Sequence, residues 1–335
     1  MHIQREDVAG SVAEEAAVVV AVELVAVAGV VARKELMKTI QIEPEYNLTT
    51  KPVTGGANNL AEPCFKLGVG WRSEISLAIS RRKDLSFVEI VAENYINRDS
   101  LPYPLVELSQ KGVEIIPHCI SLSPGGSSRP HLKRIKKIDQ LAKRCNAKLV
   151  SDHLCFVRAG GLESGHLLAV PRNKSAKRVI LDNIKYIKEN LSVPLALENI
   201  ANICAWENQE YDEASFFAEI LEESDCQMLL DVSNLYANSI NHKFDAVEYL
   251  KKLPLDRLAY VHVAGGTRKH KFYHDTHAHA IIDDVYSLLQ TFKGMKNLPK
   301  VMLERDDNFP SETELYQELD RIKNICAPGW QTHEQ

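Results

Sequence analysis

Apolar residues along this 335-residue chain gather into eight short runs, separated by segments in which they recur every three or four positions. The runs are Leu67 to Trp71, Phe87 to Asn94, Glu114 to Ser123, Lys148 to Cys155, Leu195 to Asn199, Gln227 to Asn234, Leu258 to Gly265 and Pro299 to Asp306. Each predicts a strand. Between them, His131 to Cys145 places Leu132, Ile135, Ile138, Leu141 and Cys145 on one helical face, and Lys174 to Leu191 does the same with Val179, Ile180, Ile184, Ile187 and Leu191. Less regular helical segments are Glu74 to Arg82, Tyr103 to Lys111, Glu213 to Glu223, Ala246 to Leu253, Ala280 to Phe292 and Glu312 to Ile325. Before the last of these, Ser311 and Glu314 have the spacing of a capping box, in which each side chain satisfies an orphan backbone N–H of the first turn.

Strand then helix, eight times over, predicts an α/β fold: a (β/α)8 TIM-like barrel over residues 64–328, whose parallel strands need helical crossovers. A doubly wound open sheet would carry a Gly-rich phosphate loop after its first strand, and Gly68, Gly70 and Trp71 do not spell one. Residues 1–63 read as an N-terminal extension, expected to be weakly ordered, and 329–335 as a tail. Within the extension, residues 11–32 are rich in Ala and Val, but Glu14, Glu15 and Glu23 interrupt them, and Arg5 is followed by Glu6 and Asp7. That pattern argues against a membrane span or signal peptide. Met37 reads as a natural start.

Composition adds exclusions. A net charge of −5 gives no basic footprint, so nucleic acid is not expected as a partner. Seven cysteines form no Cys-x-x-Cys pair, which predicts neither a disulfide framework nor a structural zinc site. Cys119, Cys155 and Cys226, in or beside apolar runs, read as small buried thiols, and a reducing cytoplasm fits.

The run ends carry the chemistry. His118, His153, Glu198, Asp231, His262 and Glu304 fall at or near the C-terminal ends of six runs, where barrels place their reacting groups. After the seventh run comes His274-Asp275-Thr276-His277-Ala278-His279, in which Asp275 and His277 are open candidates and His274 and His279 read as solvated or supporting. Carboxylates sharing one enclosed space repel one another and lose hydration unless cations compensate. Imidazole and carboxylate without thiolate suit iron, manganese or zinc, and so many donors imply two or three ions. Glu198, central in strand order, is the expected bridge. Taken singly, Asp231 or Glu304 would pair with Arg305 or a lysine; the joint pattern favours metal. Asp152, Asn199 and Asn234 adjoin these candidates and read as orienting groups. For Glu93 and Asn94, at the end of the second run, substrate contact and barrel packing both stay open.

At these residues the chain resembles the multinuclear non-haem iron-dependent oxidative enzymes that modify ribosomally made peptides, whose best-known member acts in methanobactin maturation. The resemblance runs from Leu67 to about Ile322. Its motifs are Glu-Asn-Tyr at 93–95, His118 before Ser-Leu-Ser, Ser-Asp-His-Leu-Cys at 151–155, Leu-Glu-Asn at 197–199 and Leu-Asp-Val-Ser-Asn at 230–234. Asn-His-x-Phe-Asp at 241–245, Asp-Thr-His at 275–277 and Glu-Arg-Asp-Asp-Asn at 304–308 complete them. The resemblance implies a TIM-like barrel holding two or three irons in mixed valence, with dioxygen as cosubstrate. It implies His118, His153, Glu198, Asp231, His262 and Glu304 as ligands of paired irons, and Asp275 and His277 at a third position. It further implies oxidation of a cysteine, or another residue, of a precursor peptide whose leader a separate partner protein holds.

The chain departs from the family pattern at Ala264-Gly265-Gly266, where many members carry a His two residues past the Ala-Gly, and in the basic Arg268-Lys269-His270-Lys271 that follows. Two other readings suit the same residues: a divalent-metal sugar isomerase or phosphodiesterase, and a non-enzymatic metal-binding protein.

Overall fold

The computed structural model describes residues 65–159, 162–293 and 300–327. The extension at 1–63, with its Ala/Val stretch and Met37, and the tail at 329–335 lie outside them.

Four strands open the barrel: β1 (Lys66–Gly70), β2 (Phe87–Val91), β3 (Glu114–Cys119) and β4 (Val150–His153). A hairpin of β5 (Cys155–Ala159) and β6 (Leu162–Ala169) interrupts the series, which resumes with β7 (Leu195–Glu198), β8 (Gln227–Asp231) and β9 (Leu258–Val263). A second hairpin, β10 (Thr267–Lys269) and β11 (Phe272–His274), precedes the closing strand β12 (Lys300–Leu303). All eight barrel strands are parallel, and β12 pairs β1 to close the ring. The eight apolar runs coincide with these strands. Both hairpins, unforeseen in the sequence, extend the loops at the C-terminal barrel face.

Side chains two residues apart on a strand share a face, and that period builds the interior. Phe87, Ile116, Leu149, Ala196, Leu229, Tyr260 and Met302 pack together as an inner layer. Two positions onward on each strand stand Glu89, His118, Ser151, Glu198, Asp231, His262 and Glu304, every one buried. The polar ring therefore follows directly from the apolar one. β1 contributes Gly68 because no more fits: a Cβ there would sit 2.4 Å from the Phe87 ring.

Helices cover the outside. Helix α1 spans Ser76–Arg81, α2 Tyr103–Gln110, α3 Leu132–Arg144 and α4 Lys174–Lys188. Ile135, Ile138 and Leu141 of α3 and Ile180, Ile184 and Ile187 of α4 are buried on the predicted stripes, each worth about 1.5–3 kcal/mol of burial. Asp212 caps α5 (Glu213–Ser224) by accepting from Ser215 N at 3.0 Å. Four more follow: α6 (Val232–His242), α7 (Ala246–Lys251), α8 (Asp283–Leu289) and α9 (Glu312–Cys326). The Ser311 and Glu314 capping box is present at α9.

Helix α6 corrects the sequence reading, which carried the sixth strand on to Asn234. The strand ends at Asp231 because that carboxylate turns back as a helix cap, its Oδ1 accepting from Ser233 N at 2.6 Å and Asn234 N at 2.7 Å. Similarly, Ala92–Asn94 forms a single 3-10 turn rather than more of β2.

Among the described residues, the six cysteines are free and all but Cys204 are buried. None of the helices described is long and apolar enough to cross a membrane.

Candidate metal centre

Ten side chains from six barrel strands and two loops meet at the C-terminal mouth in five overlapping groups. His118, His153 and Glu198 form one group, and Glu198, Asp231 and His262 a second, so Glu198 belongs to both. Its two oxygens face different ways. Oε2 lies 3.3 Å from His118 Nε2 and 3.3 Å from His153 Nε2, whereas Oε1 lies 3.6 Å from His262 Nδ1. Glu304 Oε2 comes within 2.9 Å of the same His262 nitrogen. A third group joins Asp231 to Asp275 and His277, which contact each other closely. All eight residues that the sequence singled out as ligand candidates thus lie in one connected cluster.

Neighbouring amides hold this arrangement. Asn199 clasps the backbone of Asp231, donating from Nδ2 to its carbonyl at 2.9 Å and accepting from its N–H at 2.9 Å. Asn234 Nδ2 points at Glu198 Oε1, 3.4 Å away, and donates to the Asn199 carbonyl at 3.0 Å. Asp152 accepts from Leu122 N at 2.7 Å and from His153 N at 2.6 Å, and its Oδ1 stands 3.6 Å from His153 Nδ1. Glu93 does not enter the cluster. It accepts from Ile120 N at 3.1 Å and from Ser121 Oγ, tying the end of β2 to the loop after β3. Burial, reinforced by Asp152, raises its carboxyl above the usual range.

Three participants escaped the sequence reading. Glu89 accepts from His262 Nε2 at 2.8 Å, and its signal was available: an acid two positions after Phe87 in an apolar run points where Phe87 points. Asp306 approaches His277 Nδ1 at 3.2 Å. Arg72, just past β1, pairs with Asp306 and reaches Glu304 Oε1 at 3.4 Å. The anticipated partner of Glu304, Arg305, turns the other way and pairs with Glu318 at 2.6 Å. Just past β12 the two neighbouring side chains thus point to opposite sides, and only Glu304 serves the cluster.

His277 sits on a left-handed backbone, φ 50°, costly for a non-glycine residue, and its carbonyl is held by Asp306 N at 2.8 Å. Gly265 makes room for this loop, because a Cβ there would lie 2.0 Å from the His279 carbonyl. His274 is half-buried and His279 exposed, outside the cluster.

Charge is the central problem of the site. Burial opposes the charge on Glu304, but His277 and His262 outweigh it and hold the carboxyl well below its usual range. Asp231 goes the opposite way, pushed well up by burial and by Asp275. Burial and the neighbouring His153 depress His118 to about 3. His153 itself resists burial and rises to about 9 through Glu198 and Asp152. The Nε2 atoms of the two rings lie 3.3 Å apart.

Whether cations fit is answered by the orphaned atoms. Glu198 Oε2, Asp231 Oδ2, His262 Nδ1, Asp275 Oδ1 and His277 Nε2 are buried without a hydrogen-bond partner. A buried polar atom left unsatisfied costs about 1–3 kcal/mol, and here the orphans are lone-pair donors converging on common points. Oxygen and imidazole nitrogen donors in this mixture fit divalent transition metals.

A pH dependence follows. The His153 imidazolium contributes to metal-free stability fully below its ordinary value of 6.5, and that contribution fades as pH rises through about 9. Metal uptake has the reverse sign, since a ligand ring must be neutral. Apparent affinity is expected to weaken by up to about tenfold per pH unit below that point while one proton is displaced. Metal titrations at several pH values between 6.5 and 9 measure it, and a flat profile contradicts it.

A UPF0276 protein of Streptomyces avermitilis is 40% identical over 263 residues, covering 76% of this chain and 54% of that protein. The chain thus spans about half the length of that relative. A UPF0276 protein of Caulobacter vibrioides is 33% identical over 270 residues, covering 80% of this chain and 96% of its own. Among solved structures, an L-ribulose 3-epimerase superposes with a TM-score of 0.52 at 11% identity, covering 81% of this chain and 99% of that one. A xylose isomerase domain protein from Planctomyces limnophilus gives 0.51 at 12% identity, covering 79% and 98%. Likeness at that identity concerns the barrel alone. The family profile described as RiPP precursor modification enzyme MbnB/TglH/ChrH, for ribosomally made and subsequently modified peptides, matches residues 66–327, and the chain belongs to that family.

Proposed function

We propose that this chain is a multinuclear iron-dependent oxidase that uses dioxygen to modify a cysteine, or another residue, of a ribosomally made precursor peptide. The observation that carries the reading is the sharing of Glu198 between two ligand groups inside a barrel of the peptide-modifying family. His118, His153 and Glu198 would hold one iron; Glu198, Asp231 and His262, with Glu304 beside His262, would hold the second; Asp231, Asp275 and His277 would serve a third position. Iron held there supplies the electrophilic centre and the redox change that oxidation of a thiol by dioxygen requires.

The chain's own residues do the rest. Glu198 spaces the two groups by turning one oxygen to each. Asn234, against the Glu198 carboxylate, and Asn199, on the Asp231 backbone, hold the site so that little reorganisation is needed when substrate arrives. Arg72 offsets part of the surplus negative charge through Asp306 and Glu304. The hairpins after β4 and β9 wall the mouth where a peptide enters, and the exposed Lys269 and Lys271 of the second favour an acidic segment. The reading includes a separate partner protein that holds the leader, and a cytoplasmic setting.

The test is to purify the protein without oxygen, count its metals, and incubate it with a cysteine-containing precursor peptide before and after admitting oxygen. Two or three irons per chain and an oxygen-dependent change in peptide mass are expected. Iron no higher than trace, or turnover supported by manganese or zinc without oxygen, overturns the reading.

A further inference from the structure

Through the polar ring and the Tyr260 hydroxyl just beneath it, an unbroken line of hydrogen bonds crosses the barrel. His118 Nδ1 lies 2.8 Å from Ser151 Oγ, which lies 2.6 Å from Tyr260 Oη. Tyr260 donates to Glu89 Oε2 at 2.6 Å, and His262 Nε2 reaches the same oxygen at 2.8 Å. All five residues are buried, so water does not complete these bonds.

Proton arithmetic gives the line a direction. A hydroxyl has one proton to donate. Tyr260 spends its proton on Glu89, so Ser151 donates to Tyr260 and accepts from His118 Nδ1–H. Both outer nitrogens, His118 Nδ1 and His262 Nε2, therefore carry hydrogen, so in the neutral rings that metal binding requires the inner ones, His118 Nε2 and His262 Nδ1, beside Glu198 and Glu304, hold the lone pairs. The opposite direction would require a proton on Glu89 and a hydrogen on His118 Nε2, aimed at His153 and the centre. A ring in that tautomer cannot ligate.

We infer that Glu89, Tyr260 and Ser151 are positioning residues that set the tautomers of His118 and His262 jointly, through one hydrogen-bonded line ending on the Glu89 carboxylate. The inference rests on the metal-site reading above and adds a coupling between the two ligand groups that Glu198 already joins. Carboxylate support of a ligating imidazole is a general device; here one carboxylate serves two rings on opposite sides of the barrel.

The probe is cobalt(II), titrated without oxygen into the metal-free full chain and followed by its visible absorption. Tyr260→Phe and Ser151→Ala are each expected to weaken cobalt binding about tenfold and to alter the spectrum. Because both break the same line, the double variant should be little weaker than either single one. Glu89→Gln, whose amide oxygen can still accept, should fall between parent and Tyr260→Phe. Melting temperatures of the metal-free proteins separate folding from ligation. Variants that bind cobalt as the parent does, that lose only metal-free stability, or whose losses multiply in the double variant, overturn the inference. A parent that takes up no cobalt removes the metal-site reading itself, a result distinct from a parent that binds and variants that match it.

Discussion

Glu198→Gln is expected to empty the centre: under the function proposed above, bound iron falls below one equivalent per chain and oxidation of the peptide drops by at least about a thousandfold. The magnitude comes from charge. At an effective dielectric near 20, a unit charge about 4 Å away is worth about 4 kcal/mol, and each 1.4 kcal/mol is about a tenfold change in affinity. Glu198 faces both ligand groups, so its charge would act on two cations at once. Glutamine keeps the volume and the contact with Asn234, leaving the metal-free fold in place. Two measurements check the result: iron per chain after desalting, and the rise in melting temperature on adding iron, which the parent should show and the variant should lack. Iron content equal to the parent's would refute the bridging role.

The second large effect concerns Asp231, whose two oxygens do different work. Oδ1 caps α6 through Ser233 N and Asn234 N, while Oδ2 is buried without a partner and faces the cluster. Burial and Asp275 push this carboxyl well up, toward the neutral acid. Asparagine resembles that state and caps helices as well as aspartate does. Asp231→Asn should therefore leave metal-free melting nearly unchanged and still weaken metal binding by about a thousandfold. Asp231→Ala should lose the metal equally and, in addition, the cap, worth about 0.5–2 kcal/mol, which lowers melting by about 1–8 °C in a domain of this size. Thermal melts with and without metal separate the two contributions. An asparagine variant that melts as low as the alanine one would show that capping does not depend on the oxygen assigned to it.

Local sequence carried much of this architecture. The eight apolar runs became the eight barrel strands because burial of both strand faces leaves a continuous apolar signature. The stripes of α3 and α4 and the Ser311 box are likewise short-range patterns, readable within a few turns. The polar candidates were legible for the same reason: an acid or imidazole ending an apolar strand has few places to point. Missed features depend on longer range. Helix α6 begins where the sequence still looked like strand, since Val232 and Leu235 are apolar in either conformation and the capping geometry of Asp231 decides. The β5–β6 hairpin has a polar, half-exposed second strand that shows no core-facing pattern.

What residue order alone settles, then, is which positions are strand, which are helix and which polar groups share a face with the core, because these follow from periods of 2 and 3.6 residues along the chain. Partnership across the barrel is settled elsewhere. Glu89 and His262 are 173 positions apart, and Arg72 and Glu304 are 232 apart. They meet because the ring closes between β1 and β12 and sets β2 within reach of β9. Closure also makes His118, Glu198 and Asp231 neighbours in a space too dry for their charges to stand alone. That shared desolvation, a property of the folded ring and of no single strand, is what turns scattered acids and imidazoles into a candidate site for metal.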